Sequence, residues 1–440
     1  MREVRSLLAL ALPVILAEIG WMAMGLVDTI MVGPLGPAAI GATGMGSGVF
    51  TAIVIFGMGL MLGLDTFVSQ AYGARRLDEC VEWLHHGVWL AAIIGPMLMA
   101  VTWLVFATLD WWGLHPDIRV LAGPYLRDIS VGAIPLLLYA GFRRYLQGIH
   151  VVRPIMFALI SANVVNAAAN WVLIYGHLGF PALGVQGSAW ATDLARAYMA
   201  LFLYIALQRA HRKRGDAHPH VPFRLDFDRV RRLIAVGAPA ATQITLEVGV
   251  FATATAMAGK LDPISSGAHQ IALNVAGLAF MVPLGLASAS AVRVGHAIGA
   301  GDPRRAIRSG WQALGVGAML MLTLGAVLAA WPEPILRVFT DDGRLVIIGA
   351  QLLGIAAAFQ LFDGTQAVAT GVLRGMGNTH TPMIINVIGH WALGLPVGYA
   401  LCFRYGWGVI GLWVGLSAGL IVVAVALMIV WARNASRIAA

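Results

Sequence analysis

Long apolar runs alternate with short polar segments along the whole chain. A run of about 20 apolar residues is long enough to cross the hydrocarbon core of a bilayer as an α-helix. The runs fall at residues 7–32, 47–71, 87–109, 121–146, 154–175, 188–208, 233–258, 267–292, 307–330, 346–373, 382–403 and 408–432. The pattern therefore predicts an all-α polytopic membrane protein with twelve transmembrane helices.

The longest polar segment lies after the sixth run. Residues 209–232 contain eight arginine or lysine residues, several histidines and no long apolar run. We interpret this segment as a cytoplasmic linker between an N-terminal six-helix bundle, residues 1–208, and a C-terminal six-helix bundle, residues 233–440.

The two halves share an internal repeat. Pro13 aligns with Pro239, and the same offset brings further residues into register: Thr29 with Thr255, Gly33 with Gly259, Pro37 with Pro263, Gly59 with Gly285 and Gly73 with Gly299. Because each half has an even number of spans, both halves start on the same side of the membrane. Two pseudo-symmetric parallel bundles are typical of transporters that work by alternating access around a central site.

Composition and charge support this topology. The chain is 59% hydrophobic and only 11% charged, which excludes soluble enzymes and nucleic-acid-binding domains. Most of the 29 Lys and Arg residues fall in segments that are cytoplasmic when the N-terminus is cytoplasmic. We therefore expect a multi-pass plasma-membrane protein (inner membrane in a bacterium) with both termini in the cytoplasm. The net charge of +8 marks the cytoplasmic face, so no nucleic acid partner is expected.

The sequence contains no motif for catalysis or for nucleotide binding. Neither the G-x-x-x-x-G-K-[ST] phosphate loop nor the H-E-x-x-H zinc motif is present, and no soluble domain is large enough to bind ATP. We expect that the protein is not an enzyme and has no cofactor. The remaining power source for transport is an ion gradient, which requires ionisable groups inside the membrane.

Carboxylates inside the predicted spans are the main candidates for coupling. Six occur there: Glu18, Asp28, Asp65, Asp193, Glu247 and Asp363. Asp193 lies three residues before Arg196, so a local ion pair explains it. Asp28, Glu247 and Asp363 have no cation within two turns on their own helices, and they are the stronger functional candidates. The sequence leaves open whether Glu18, Asp65 and Asp193 are functional or structural.

Amides and aromatic residues add to these candidates. Asn166 and Asn170 lie on one face of span five, where they can supply oxygen ligands to a hard cation or bind a neighbouring helix. Trp21 is the repeat counterpart of Glu247, and it lies on nearly the same helix face as Asp28. Trp21 and Phe251 are able to stack on planar organic cations, although a packing or lipid-facing role is the more common one for such residues.

Several motifs of this sequence resemble those of the multidrug and toxic compound extrusion (MATE) family. They are Leu26-Val27-Asp28-Thr29-Ile30-Met31-Val32-Gly33, Asp65-Thr66 followed by Gln70-Ala71-Tyr72-Gly73-Ala74, Ala268-His269-Gln270-Ile271-Ala272, Arg293-Val294-Gly295, and Gly371-Val372-Leu373-Arg374-Gly375-Met376-Gly377. The pair Glu247 and Asp363 is similar to the NorM-like branch of the family. The motifs extend over nearly the whole chain.

This resemblance implies a V-shaped, monomeric antiporter with twelve helices. Such a protein exports bulky cationic or amphipathic organic molecules from the membrane in exchange for Na⁺ or H⁺. By resemblance, Glu247 and Asp363 would form a cation site, possible for Na⁺, in the C-terminal half. Asp28, with Asn166 and Asn170, would form a coupling and substrate site in the N-terminal half. Gln270 and the Asp341-Asp342 pair, chiefly Asp342, would contact drugs.

Two alternatives remain open from the sequence alone. A lipid or lipid-linked oligosaccharide flippase of the same superfamily carries an anionic cargo, which calls for Arg or Lys in the cavity. Here the charges inside the spans are mainly acidic, with Arg196 the deep exception. A channel or receptor is the second alternative, and the parallel repeat argues against it.

Overall fold

The computed structural model describes residues 2–113, 115–213 and 221–439. Part of the predicted linker, residues 214–220, lies outside the described residues. The helices have the following bounds: α1 Arg2–Val32, α2 Pro37–Leu60, α3 Gly63–Gly73, α4 Leu77–Thr108, α5 Pro116–Ile129, α6 Ala133–Gly148, α7 Arg153–Tyr175, α8 Val185–Lys213, α9 Phe227–Ala258, α10 Pro263–Gly299, α11 Pro303–Ala330, α12 Pro332–Arg337, α13 Gly343–Gly375, α14 His380–Asn386, α15 Leu395–Tyr399 and α16 Gly408–Ala439. The protein is all-helical in these ranges, as predicted.

Eleven helices or near-continuous helix pairs in the described ranges are long and apolar enough to cross a membrane. The predicted sixth span, α8, is less apolar because it contains Asp193 and Arg196. Its 29 residues still extend about 43 Å at 1.5 Å per residue, which is sufficient for a span. Large apolar side chains such as Leu26, Ile30 and Leu104 are more than 60% exposed, as expected for surfaces that face lipid.

The chain forms two compact units. One contains Leu16–Ala241, and the other contains Met1–Ile15 together with Thr242–Ala440. Helices α1 and α9 are thus each divided between units, and each has a proline, Pro13 or Pro239, two residues before its division. The predicted boundaries at residues 208 and 233 concern the membrane topology and stay a prediction.

Close helix contacts organise the unit Leu16–Ala241. The antiparallel neighbours α7 and α8 meet at Gly187, where a Cβ atom would lie 2.5 Å from the carbonyl of Leu173. Helices α2 and α5 meet where Gly46 admits the ring of Tyr125, which is 1% exposed. The contact at Gly187 fixes α7 and α8 against each other beside the polar cluster described below.

Glycine contacts also organise the second unit. Helices α10 and α13 pack backbone to backbone, since a Cβ on Gly371 would lie 2.3 Å from the carbonyl oxygen of Ala287. Span eleven is not a regular α-helix: residues 387–394 and 400–404 are π-helical. A Cβ on Gly415 of α16 would lie 2.1 Å from the amide nitrogen of Gly398. Small residues at such positions allow helices to approach closely in lipid.

Candidate functional site

Asp28 lies in the last turns of α1, at the centre of a buried polar cluster. Asn166 and Asn170 of α7 donate from Nδ2 to its Oδ1 at 3.0 and 2.7 Å, and the Thr192 hydroxyl of α8 donates to Oδ2 at 2.9 Å. Asp28 is 8% exposed, and both amides are fully buried. Hydrogen bonds to an ionised acceptor are about twice as strong as neutral ones. The structure thus brings together the three residues predicted for the N-terminal half and stabilises a negative charge among them.

Thr192 belongs to this cluster although the sequence analysis did not predict it. A signal was present, because Ser188 and Thr192 are hydroxyl residues four apart on one face of α8, just as Asn166 and Asn170 are on α7. Asn170 Oδ1 and Ser188 Oγ are buried without a hydrogen-bond partner among the described residues. Carboxylate, amide and hydroxyl oxygens are the ligand types that hard cations prefer.

A buried ion pair lies within electrostatic range of Asp28. Arg196 Nη1 donates to Asp193 Oδ1 at 3.0 Å, which confirms the local pair predicted from their spacing. The guanidinium also stacks over the ring of Phe50, 4.5 Å from its centroid. The positive charge of Arg196 acts on Asp28 at longer range, without a hydrogen bond between the two side chains. The charge state of the cluster therefore depends on a residue that does not touch it.

The second predicted carboxylate site lies in the other unit. Gln366 of α13 donates from Nε2 to Glu247 Oε1 of α9 at 3.0 Å. Asp363, three residues earlier on α13, interacts electrostatically with Glu247 and is 8% exposed. In the described part of the chain no hydrogen bond reaches Asp363. The structure brings both predicted carboxylates together with only one donor between them, so their mutual repulsion is poorly compensated.

This second site has spare capacity for hydrogen bonding. Gln366 Oε1 and both side-chain polar atoms of Gln360 are buried and have no hydrogen-bond partner within the described ranges. Asp363 lies three residues from Gln360 and three from Gln366 along α13, so each glutamine is its neighbour on the helix surface. The sequence analysis did not predict the two glutamines, although their spacing from Asp363 was visible. Buried polar groups of this kind call for water, an ion or a substrate.

The described residues contain no group of three or more His, Cys, Asp and Glu side chains able to hold a metal ion. Both candidate sites instead combine one or two carboxylates with amides. These are hard oxygen ligands, whereas zinc and copper prefer imidazole and thiolate ligands.

Glu18 and Asp65, whose roles the sequence left open, both form buried ion pairs with α6. Arg143 donates to Glu18 Oε1, and Arg144 Nη1 lies 3.4 Å from Asp65 Oδ2. Asp65 is fully buried, and Arg143 is 3% exposed. These pairs connect α1 and α3 to α6, which gives both acids a structural explanation.

The remaining predicted substrate residues lie in separate surroundings. Trp21 packs against the core of the unit Leu16–Ala241, and Phe251 is half-buried against a cluster around Val250 and Leu416. Gln270 is exposed, and its Nε2 lies 3.5 Å from Asn274 Oδ1. Asp342 is the N-cap of α13 and accepts from the Arg344 amide at 2.9 Å. This contact gives Asp342 a role in helix capping.

The MatE family model matches this chain twice, at residues 13–172 and 239–400. The two matched segments begin at Pro13 and Pro239, the residues that start the internal repeat. Together they cover well over half of the chain.

Curated relatives and solved structures agree with this match. A probable multidrug resistance protein NorM of Mesorhizobium japonicum is 36% identical over 98% of this chain and 94% of its own length. A multidrug resistance protein NorM of Burkholderia vietnamiensis is 36% identical over 94% of this chain and 91% of its own length. The fold matches that of a MATE protein crystallised with MaL6, with a TM-score of 0.89, 20% identity and coverage of 99% and 97% of the two chains. It also matches the eukaryotic MATE transporter AtDTX14, with a TM-score of 0.88, 19% identity and coverage of 99% and 98%. The chain is a multi-pass membrane protein of the MATE transporter family and resembles its NorM-type members.

Proposed function

We propose that this protein is a secondary multidrug exporter that expels bulky organic cations in exchange for entering Na⁺ or H⁺. It acts as a monomer in the plasma membrane, with both termini in the cytoplasm. The names of its relatives support export of organic compounds. The observation that carries ion coupling is the pair of buried carboxylate sites, one at Asp28 and one at Glu247 and Asp363.

The Asp28 cluster is suited to hold one monovalent cation. Its carboxylate is already aligned by Asn166, Asn170 and Thr192, so an ion that replaces one amide donor meets preorganised oxygen ligands. A proton on Asp28 would satisfy the same cluster by removing its charge. Either ion neutralises a buried carboxylate, which favours a conformation closed to water.

The Glu247 and Asp363 site is suited to exchange. With one donor for two carboxylates, it favours any positive charge that enters, whether an organic cation, Na⁺ or a proton. Binding of the drug and binding of the ion are then mutually exclusive at this site. An entering ion displaces the drug, and the ion gradient thereby supplies the free energy for export.

The test is ethidium efflux from proteoliposomes, with Na⁺ and H⁺ gradients imposed separately. Asp28→Asn, Glu247→Gln and Asp363→Asn should each reduce gradient-driven efflux by at least about tenfold, since each removes a charge that the cycle must neutralise. Asp110→Asn, which removes an exposed carboxylate, is the matched control and should retain activity.

The ion whose gradient drives efflux identifies the coupling ion. Full efflux by both Glu247→Gln and Asp363→Asn would contradict carboxylate coupling. Efflux that needs no gradient at all would contradict antiport.

A further inference from the structure

A cavity of about 650 Å³ lies in the unit Leu16–Ala241, between the start of α7 and the end of α8. Neither the Asp28 cluster nor any other residue assigned above lines it. Helices α7 and α8 are antiparallel, so the cavity is at the end of the unit where the linker leaves α8. In the predicted topology this end is at the cytoplasmic surface of the membrane.

The lining of the cavity has two chemically different parts. Phe157, Phe202 and Ile205 form an apolar wall, and Phe157 and Ile205 are 54% and 42% exposed. These side chains follow the helices toward the middle of the membrane. An exposed aromatic and aliphatic wall at this depth fits acyl chains better than water.

Three cations complete the lining at the helix ends: Arg153 of α7, and Arg209 and Lys213 of α8. Arg209 and Lys213 lie four residues apart on one helix face, and all three residues are exposed. Among the described residues, no acid lines the cavity and none of the three cations forms an ion pair. Each side chain has an apolar stem that can cover the wall and a charged end that can reach the headgroup level.

The end of α8 is held in place by a contact with α6, so the apolar wall and the three cations keep their positions relative to each other. The hydroxyl of Tyr145 on α6 lies 2.8 Å from Nε2 of His211, on the side of α8 away from the cavity. The α7 start is also defined, because Arg153 is followed by Pro154, which is favoured in the first helical turn.

We propose that this cavity binds one anionic phospholipid of the cytoplasmic leaflet, such as phosphatidylglycerol. Its phosphate lies among Arg153, Arg209 and Lys213, and an acyl chain lies along Phe157, Phe202 and Ile205. Basic pockets between transmembrane helices at the cytoplasmic side are suited to anionic headgroups. The charge of the three cations, which no acid among the described lining residues opposes, selects an anionic lipid over a zwitterionic one.

The test is native mass spectrometry of the purified full-length protein, titrated with phosphatidylglycerol or phosphatidylcholine. The wild type should bind phosphatidylglycerol about tenfold more tightly, or more, than phosphatidylcholine. The triple variant Arg153→Gln/Arg209→Gln/Lys213→Gln should lose this preference. The matched control Arg304→Gln/Arg305→Gln/Arg308→Gln removes the same charge from an exposed segment of α11 and should keep it.

A second variant tests the apolar wall. Phe157→Ser/Ile205→Ser changes two exposed side chains, so it should fold and should bind both lipids more weakly while it keeps the preference for phosphatidylglycerol. Thermal unfolding of every variant shows that a lost lipid is not caused by a lost fold.

Three results would overturn the proposal. The cation variant could bind phosphatidylglycerol as tightly as the wild type, or the α11 control could lose the lipid equally. In the third, inorganic phosphate would displace phosphatidylglycerol at millimolar concentration, which would indicate a site for free anions.

Discussion

The two carboxylate sites differ in how far the protein itself satisfies their charge. Asp28 receives three hydrogen bonds from two neighbouring helices and lies within range of Arg196. Glu247 receives one, and Asp363 receives none from the described residues while it interacts unfavourably with Glu247. The first site is therefore part of what holds its unit together, whereas the second is held in place by the rest of its unit. The two halves thus contain one site whose buried charge has three hydrogen-bond donors and one whose two carboxylates share a single donor among the described residues.

The largest expected effect is on the free energy of unfolding, and it follows from removal of the Asp28 carboxylate, which has three hydrogen-bond donors. Asp28→Ala leaves three buried donors without an acceptor, and we expect it to lower the free energy of unfolding by about 3–5 kcal/mol. Thermal unfolding of the purified protein in detergent measures this loss. Asp110→Ala breaks an exposed pair with Arg119 and should change stability by about 0–1 kcal/mol. Equal midpoints for the two variants would show that the cluster is not structural.

Removal of either charge at the Glu247 and Asp363 site should change the free energy of unfolding in the opposite direction. Asp363→Asn and Glu247→Gln each relieve repulsion, and we expect either to raise the free energy of unfolding by about 1 kcal/mol in Na⁺-free buffer. The same unfolding measurement applies. Glu333→Gln, at an exposed i,i+4 pair with Arg337, is the control and should leave stability nearly unchanged or slightly lower. A clear loss of stability in both carboxylate variants would remove the contrast between the sites.

Arg196 and Asp193 should tune the first site in opposite directions. Arg196→Gln removes a positive charge near Asp28, so the apparent affinity for the coupling ion should rise by about threefold, and Asp193→Asn should lower it by a similar factor. The ion dependence of ethidium efflux measures both. Arg196→Lys keeps the charge and is the control. Shifts of the same sign in the two charge-removing variants would mean that they act through packing rather than through charge.

The smallest expected effect concerns a carboxylate outside the membrane. Asp262 caps α10, and hydrogen bonds from Ser265, its side chain first, and from the Ile264 amide hold the pKa of Asp262 below its ordinary value. A lowered pKa means that the cap stabilises the folded state above the unfolded pKa, near 3.9, and that this is lost as the pH falls through the folded pKa. Hydrogen exchange at the Ile264 and Ser265 amides should accelerate locally at low pH, relative to the intrinsic rate. Asp262→Asn keeps a capping side chain and should abolish this pH dependence.

Much of the fold could be predicted from the apolar runs, but their ends could not. Helices α2 and α4 begin at Pro37 and Leu77, each ten residues before the corresponding apolar run. An apolar run marks the part of a helix inside the hydrocarbon, whereas the helix continues into the polar interface. The bend between α2 and α3, and the π-helical turns of span eleven, leave no periodic signal because they arise from contacts with other helices.

The candidate sites, like the fold, could be predicted only in part from the sequence. The intrahelical pair Asp193 and Arg196 could be predicted because helix geometry alone brings i and i+3 together. The pairing of Glu18 with Arg143 could not be predicted, since 125 residues separate them and nothing local indicates the partner. Thr192 and Gln366 are intermediate cases. Their spacing from Ser188 and Asp363 was visible in the sequence, but the carboxylate of another helix to which each donates depends on tertiary packing.

The glycine contact between span eleven and α16 lies at positions where the N-terminal half has amide side chains. In the internal repeat Pro154 corresponds to Pro382, because a Leu-x-Gly segment precedes each of them (Leu146-Gln147-Gly148 and Leu373-Arg374-Gly375). Gly394 and Gly398 follow Pro382 by the same numbers of residues as Asn166 and Asn170 follow Pro154. In the N-terminal half, the amides at these positions reach the carboxylate of Asp28. In the other half, glycine at these positions admits the backbone of Gly415. A Cβ atom on Gly398 would lie 3.0 Å from the carbonyl oxygen of Leu412 on α16, so an amide side chain at this position would require α16 to shift. The two halves therefore cannot exchange these side chains without repacking a neighbouring helix.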